Sequence, residues 1–291
     1  LEEILDFYNP FIFNLRIFKV RRSINPFIFP IFDHRNGINK FLLMKKLYTL
    51  LLSFVLLQAS FAQENPTTSK TPAGGRPNIP SDLSFEFGFN LLNNRPEDLK
   101  TKFFGSRSMN VYYQFPVSLG GKSSGFTLNP GIGIGSDRYS FDKNSNLFNN
   151  PLVGPESSIF RPVTDVYGKD IKIERNLATT TYVEVPIDFT YHVNKTNYSK
   201  GFRVSLGGRV GYLIDATTRI KYTEKTGLKR EVQDSQNFGF EKLRYGISLK
   251  AGSPGFYAWS YFGLNSLFQE NKGPFKTEAA QISFGLAFKV F

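Results

Sequence analysis

The feature that most limits how this chain can fold is an alternation of large apolar with small or polar residues, repeated in about eight separate stretches from Leu83 onward. In residues 83–91, Leu83, Phe85, Phe87, Phe89 and Leu91 alternate with Ser84, Glu86, Gly88 and Asn90. A period of two places the two sets on opposite faces of an extended strand. Comparable stretches cover 106–119, 126–141, 179–192, 202–222, 238–249, 256–268 and 282–291. The phase of 256–268 is not assignable from the pattern.

The connections sort by length. Those after the second, fourth and sixth stretches are short, and those after the first, third, fifth and seventh are mostly long and polar. An even strand count with short turns at one end and long loops at the other describes a bacterial outer-membrane barrel. The expected fold is therefore all-β, a transmembrane antiparallel up-and-down β-barrel of about eight strands. A soluble lipocalin-like barrel shows the same period with its apolar face turned inward. A mean hydropathy of -0.25 argues against a bundle of membrane helices, whereas alternating strands tolerate it. Phe291 falls out of phase with Phe284, Leu286 and Phe288, an irregularity in the last strand.

The first 80 residues read differently. Met44-Lys45-Lys46, an apolar run over 47–57 and the small residues Ser60 and Ala62 form a secretory signal peptide over 44–62, cut after Ala62. The apolar run is too short to span a bilayer, which takes ~20 residues. Residues 1–43 show neither sustained alternation nor heptads and read as upstream sequence translated in frame. Residues 63–80, rich in Pro, Thr, Ser and Gly, read as a flexible linker, which leaves 81–291 as the barrel.

Composition narrows the chemistry. The chain has no cysteine and two histidines, His34 and His192, so a thiolate or multi-histidine metal site is not expected. No cofactor is expected either. The net charge of +12 is spread singly between apolar residues, unlike the concentrated face of a nucleic-acid groove. Outer-membrane lipid and lipopolysaccharide phosphates are the expected partners of that charge, and nucleic acid is not.

By phase, Glu86, Glu184, Asp188, Arg203, Arg209 and Arg244 face the lumen. The interior of an eight-stranded barrel is just wide enough for side chains, so buried charges there have to pair. An ion-pair plug is expected rather than paired acid-base catalysts. Gly131, Gly133 and Gly135 lack the Lys-Ser/Thr and helix of a phosphate loop and are expected to make room for bulky lumen neighbours. A lipid-active enzyme would call on His192, which lies where the fourth strand meets a turn with no evident nucleophile. No catalytic residue is assigned. The long loop 142–177 offers Phe148, Phe160 and Tyr167 as surface contacts.

The run Tyr182-Val183-Glu184-Val185-Pro186-Ile187-Asp188-Phe189 and the terminal Phe284-Gly285-Leu286-Ala287-Phe288-Lys289-Val290-Phe291 resemble the PorT-like outer-membrane β-barrel family of Bacteroidota. The resemblance spans roughly 83–291 and implies no catalytic residues. The family's namesake is implicated in type IX secretion and gliding, so an accessory role beside a membrane-protein partner stands as the alternative to a non-enzymatic scaffold or surface-interaction protein.

Overall fold

The computed structural model describes residues 81–290 except 122, 123 and 199. The signal peptide, the linker and the phase of Phe291 lie outside these residues. Twelve strands follow in chain order: β1 (Asp82–Asn93), β2 (Arg107–Gln114), β3 (Val117–Leu119), β4 (Phe126–Ser140), β5 (Ser145–Asn150), β6 (Gly154–Pro162), β7 (Ile171–His192), β8 (Arg203–Glu224), β9 (Lys229–Ser235), β10 (Leu243–Ser253), β11 (Phe256–Ser266) and β12 (Ala280–Lys289). Eight of them, β1, β2, β4, β7, β8, β10, β11 and β12, pair antiparallel in a ring that β8–β10 and β1–β12 close. Closure removes every free edge of the membrane-spanning sheet. β3 continues the line of β2 beyond Phe115-Pro116, where proline has no N–H to give the ladder.

Alternation works here as the sequence suggests. Outward residues such as Phe87, Met109, Ile134, Ile187, Leu206, Ile247 and Leu286 are exposed, while Ser84, Glu86, Asn110, Glu184 and Ser248 on the opposite phase are buried. The outside is the apolar face, which suits lipid and excludes the lipocalin alternative. β11 resisted phase assignment because its lumen side is aromatic: Tyr257, Trp259 and Tyr261 point inward, each 3% exposed. A polar/apolar code cannot separate such a face from lipid-facing Phe262 and Leu264.

β7 and β8 run 22 residues each, about twice the 9–11 a tilted strand needs to cross a bilayer. Their far halves therefore stand above the membrane on the side of the long loops. A bulge at Ile214 shifts the β7–β8 register, so lumen positions change from odd (Arg209, Gly211) to even (Ala216, Thr218, Ile220). β9 pairs with the protruding end of β8, and β5–β6 forms a separate hairpin.

Two boundaries differ from expectation. The sixth barrel strand begins at Leu243, not near Phe238, because Phe238 and Phe240 turn into an apolar cluster at the mouth. The segment 142–177 holds β5, β6 and the start of β7 rather than one irregular loop.

Candidate functional site

Inside the barrel, charged side chains from five strands converge. Arg209 on β8 places Nη2 2.8 Å from Glu86 Oε2 on β1. Lys250 on β10 bridges Glu86 Oε1 at 3.0 Å and Asp188 Oδ2 at 2.8 Å. Arg244, six residues before Lys250 on the same face of β10, meets Glu184 Oε1 at 2.8 Å through Nε and pairs with Asp137 through Nη1. Tyr112 on β2 ties the groups together, since its hydroxyl donates to Glu184 Oε2 and accepts from Arg209 Nη1. Four carboxylates and three cations are thus held in one network.

Neutral groups fill the remaining valences. Asn110 donates to Glu86, Gln114 and Ser248 donate to Asp188, and Asn90 donates to Asp137. Aromatic faces cover the cations: Arg244 lies 3.9 Å above the Tyr182 ring, and Arg209 lies over Tyr112, Trp259 and Tyr261 at 4.9–5.3 Å. Such stacking suits guanidinium, which is planar and weakly hydrated. A Cβ on Gly135 would come within 2.6 Å of Arg244 and 2.7 Å of Glu184, and one on Gly207 within 2.0 Å of Asp188. These glycines are the room in which the network sits.

Of the six charges that phase assigns to the lumen, Glu86, Glu184, Asp188, Arg209 and Arg244 join this network. Arg203 does not. It stands at the short-turn end of β8 with its guanidinium 5.9 Å from the Tyr257 ring, below the packed layer. Phase gives a side chain's face but not its depth. Asp137, Lys250 and Tyr112 complete the network and were missed, although Asp137 continues the Gly131-Gly133-Gly135 phase and Lys250 the Arg244-Gly246-Ser248 phase. At the same end as Arg203, Lys289 pairs with Asp82. His192 stacks on Tyr198 at 4.4 Å, and its Nε2 lies 3.0 Å from Thr127 Oγ1.

The opposite mouth is covered. Leu99, Tyr139, Phe141, Leu147, Phe238, Phe240, Leu267 and Phe268 come from four loops and strand ends and form one buried apolar cluster. A second cluster packs Phe148 and Val163 against Ile220 and Tyr222 of the protruding β8. The aromatic residues expected to face partners are therefore reassigned. Phe148 is 8% exposed, Phe160 packs on the first cluster and Tyr167 on the second, because each finds apolar neighbours from other loops. Phe148 is thus buried in the cap, while Phe160 and Tyr167 are half-buried against it.

Polar ties pin the cap. Ser157 Oγ donates to the Lys272 carbonyl at 2.9 Å and Ser158 Oγ to that of Phe238 at 2.6 Å. Glu156 takes Lys242 at 2.8 Å and Lys272 at 2.9 Å, one on each carboxylate oxygen. Hydrogen bonds from both ammonium groups lower its pKa from 4.5 to about 2. The outer surface left over carries Leu152 and Val153 at the β5–β6 tip, 93% and 59% exposed.

No curated protein matched the chain. Similar solved structures include Ail, the attachment invasion locus protein of Yersinia pestis, at 13% identity and a TM-score of 0.32, covering 72% of this chain and 97% of that one. The N-terminal β-barrel domain of Pseudomonas aeruginosa OprF is another, at 10% identity and a TM-score of 0.26, covering 72% of this chain and 98% of that one. The family model described as outer membrane protein beta-barrel domain matches residues 61–269, and the chain belongs to that family.

Proposed function

We propose that this outer-membrane barrel is a non-enzymatic, non-conducting scaffold that meets its partner through the extracellular cap. The observation that carries this reading is the filling of both passages: the ion-pair network occupies the lumen and the apolar clusters cover the mouth. Solvent-reachable chemistry is then left on the outer surface of the cap, where Leu152 and Val153 project from a hairpin held by Glu156. Exposed apolar side chains on a rigid support suit an interaction surface. The test is surface crosslinking on intact cells, comparing the natural chain with Leu152→Asp and Val153→Asp. Unchanged crosslinked species in both variants would overturn the reading.

A second reading, an accessory subunit of a type IX secretion or gliding complex, is favoured by the PorT-like run from Tyr182 to Phe189. In the fold, Glu184 and Asp188 of that run are lumen carboxylates. The resemblance is thus carried by barrel packing, and it speaks to a shared scaffold more than to a shared contact surface. Recovery of a stoichiometric membrane-protein partner in gentle detergent would favour this role. Neither reading assigns a cofactor or a nucleic-acid partner. A lipid-active enzyme would depend on His192 beside Thr127, so acyl transfer lost in His192→Ala would replace both.

A further inference from the structure

Below the ion-pair network, at the short-turn end of the barrel, the packing leaves a cleft. Gln114, Asn129, Thr190, Arg203, Lys250 and Lys289 line it, each from a different strand. Its volume is about 20 Å³, enough for a slim terminal group and too little for a whole solute. The far mouth is shut by the apolar cluster, so anything entering this cleft comes from the short-turn side, which is periplasmic.

Two polar groups in its wall are unspent. Arg203 Nη2 is buried without a hydrogen-bond partner, and so is Asn129 Oδ1. Asn129 is 7% exposed, and its amide is held in place. Nδ2 donates to Thr190 Oγ1 at 2.7 Å, and Thr190 Oγ1 lies 2.7 Å from Ser205 Oγ. The neighbouring charges are all matched. Lys250 bridges Glu86 and Asp188, Gln114 and Ser248 also donate to Asp188, and Lys289 takes Asp82. Among the described residues Arg203 meets no carboxylate at ion-pair distance; its guanidinium has only the Tyr257 ring, 5.9 Å away. Exposed Lys195 and Lys200 in the β7–β8 turn add to the positive field at this end.

We propose that the cleft captures the C-terminal carboxylate of a peptide on the periplasmic side. Arg203 takes the carboxylate, and Asn129 Oδ1 accepts from the last peptide N–H. Guanidinium binds carboxylate through two parallel N–H donors, which gives the unspent Nη2 a partner. A bare carboxylate or a halide would satisfy Arg203 and leave Asn129 as it is. A peptide end carries both the anion and, a few bonds away, the missing donor. The two residues stand on β4 and β8 with β7 between them, about 10 Å apart at the wall from two ~4.8 Å strand spacings. A monatomic ion cannot touch both walls, whereas a chain end reaches across. The small volume further selects a terminal residue with little or no side chain. The inference rests on the outer-membrane orientation and is independent of the cap reading.

The test uses the full chain in nanodiscs of neutral phosphatidylcholine and Ala-Ala-Ala labelled with fluorescein at its N-terminus, followed by anisotropy. The free acid should bind, and the same peptide ending in a C-terminal amide should bind at least tenfold more weakly. Arg203→Gln should weaken the acid at least tenfold and erase its advantage over the amide, while the gel shift on heating persists. Asn129→Ala should weaken the peptide but leave competition by acetate unchanged. A probe ending in D-Ala separates two sources of the same chemistry: preference for it assigns the site to cell-wall stem peptides, and preference for L-Ala to protein tails. Equal binding of acid and amide by the natural chain would overturn the proposal, as would undiminished binding in folded Arg203→Gln. Because the acid–amide comparison needs no variant, it decides the matter even if Arg203→Gln fails to fold.

Discussion

The hydroxyl of Tyr112 donates to Glu184 while accepting from Arg209, so one phenol joins the Glu86–Arg209–Lys250–Asp188 group to the Glu184–Arg244–Asp137 group. Tyr112 is fully buried, and among the described residues it alone hydrogen-bonds to both halves of the network. Removing that oxygen alone, in Tyr112→Phe, leaves an acceptor and a donor unmatched in a dry interior. The expected loss is about 1–3 kcal/mol, since a buried polar group left unpaired bears its full desolvation cost. Equilibrium unfolding in urea from lipid vesicles would measure it. Trp259, the sole tryptophan of the chain, lies under Arg209 and reports the same site by its emission.

Single charge removals should cost more than that. Glu86 holds both Arg209 and Lys250, so Glu86→Ala leaves two cations without their carboxylate. Breaking a buried pair from one side typically costs about 3–5 kcal/mol. The double change Glu86→Gln with Lys250→Met should recover part of the loss, measured in the same unfolding assay. An unchanged midpoint in Glu86→Ala would show that water reaches the site.

The filled lumen makes a prediction about current. The reconstituted protein should be silent in planar bilayers, and deleting the β5–β6 hairpin should leave it silent because the ion-pair network persists below. Steady ohmic steps from the hairpin deletion would mean that the cap, and not the network, closes the passage.

Glu156 gives a pH dependence with a defined sign. Its carboxylate is depressed from 4.5 to about 2 in the folded cap by Lys242 and Lys272. The contribution is therefore complete above 4.5 and is lost as pH falls toward 2. Proteolysis at the β5–β6 hairpin should quicken across that window, and Glu156→Gln should be fast at neutral pH already. Both partners are exposed, so the effect should shrink in high salt. Cleavage that stays flat with pH in the natural chain would remove Glu156 from the anchoring of the cap.

Much of the barrel was legible because a strand's period of two survives any change of loop. β1, β4, β7 and β12 follow the residues that Phe85, Ile134, Val185 and Leu286 mark as lipid-facing. The lumen network was only partly legible. Glu184 and Arg244 could be placed by phase, but Arg203 shares that phase and lies too far down β8 to pair. Lys250 lay one residue past the stretch ending at 249, and Asp137 lay inside the stretch 126–141 but next in phase after the glycines Gly131, Gly133 and Gly135, which drew the reading toward space and not charge. The cap was hidden for another reason. Phe148, Phe160 and Tyr167 sit among Asn, Pro and charged residues, and the neighbours that bury them, such as Phe141, Ile220 and Tyr222, belong to distant parts of the chain. No local pattern records such meetings.

The seam between β1 and β12 has a consequence for when the protein can be made. Asp82 and Lys289 are 207 residues apart, yet they close the ring at its short-turn end. Contacts of such long range are slow to form, since the whole intervening chain has to be gathered first. The ring cannot shut until its final strand has been delivered. Until then β1 and β11 both show bare hydrogen-bonding edges, the surfaces on which strands recruit strangers. A nascent copy must therefore be kept from its siblings for as long as its tail is missing, and a chain stopped short of Ala280 should never outgrow that need.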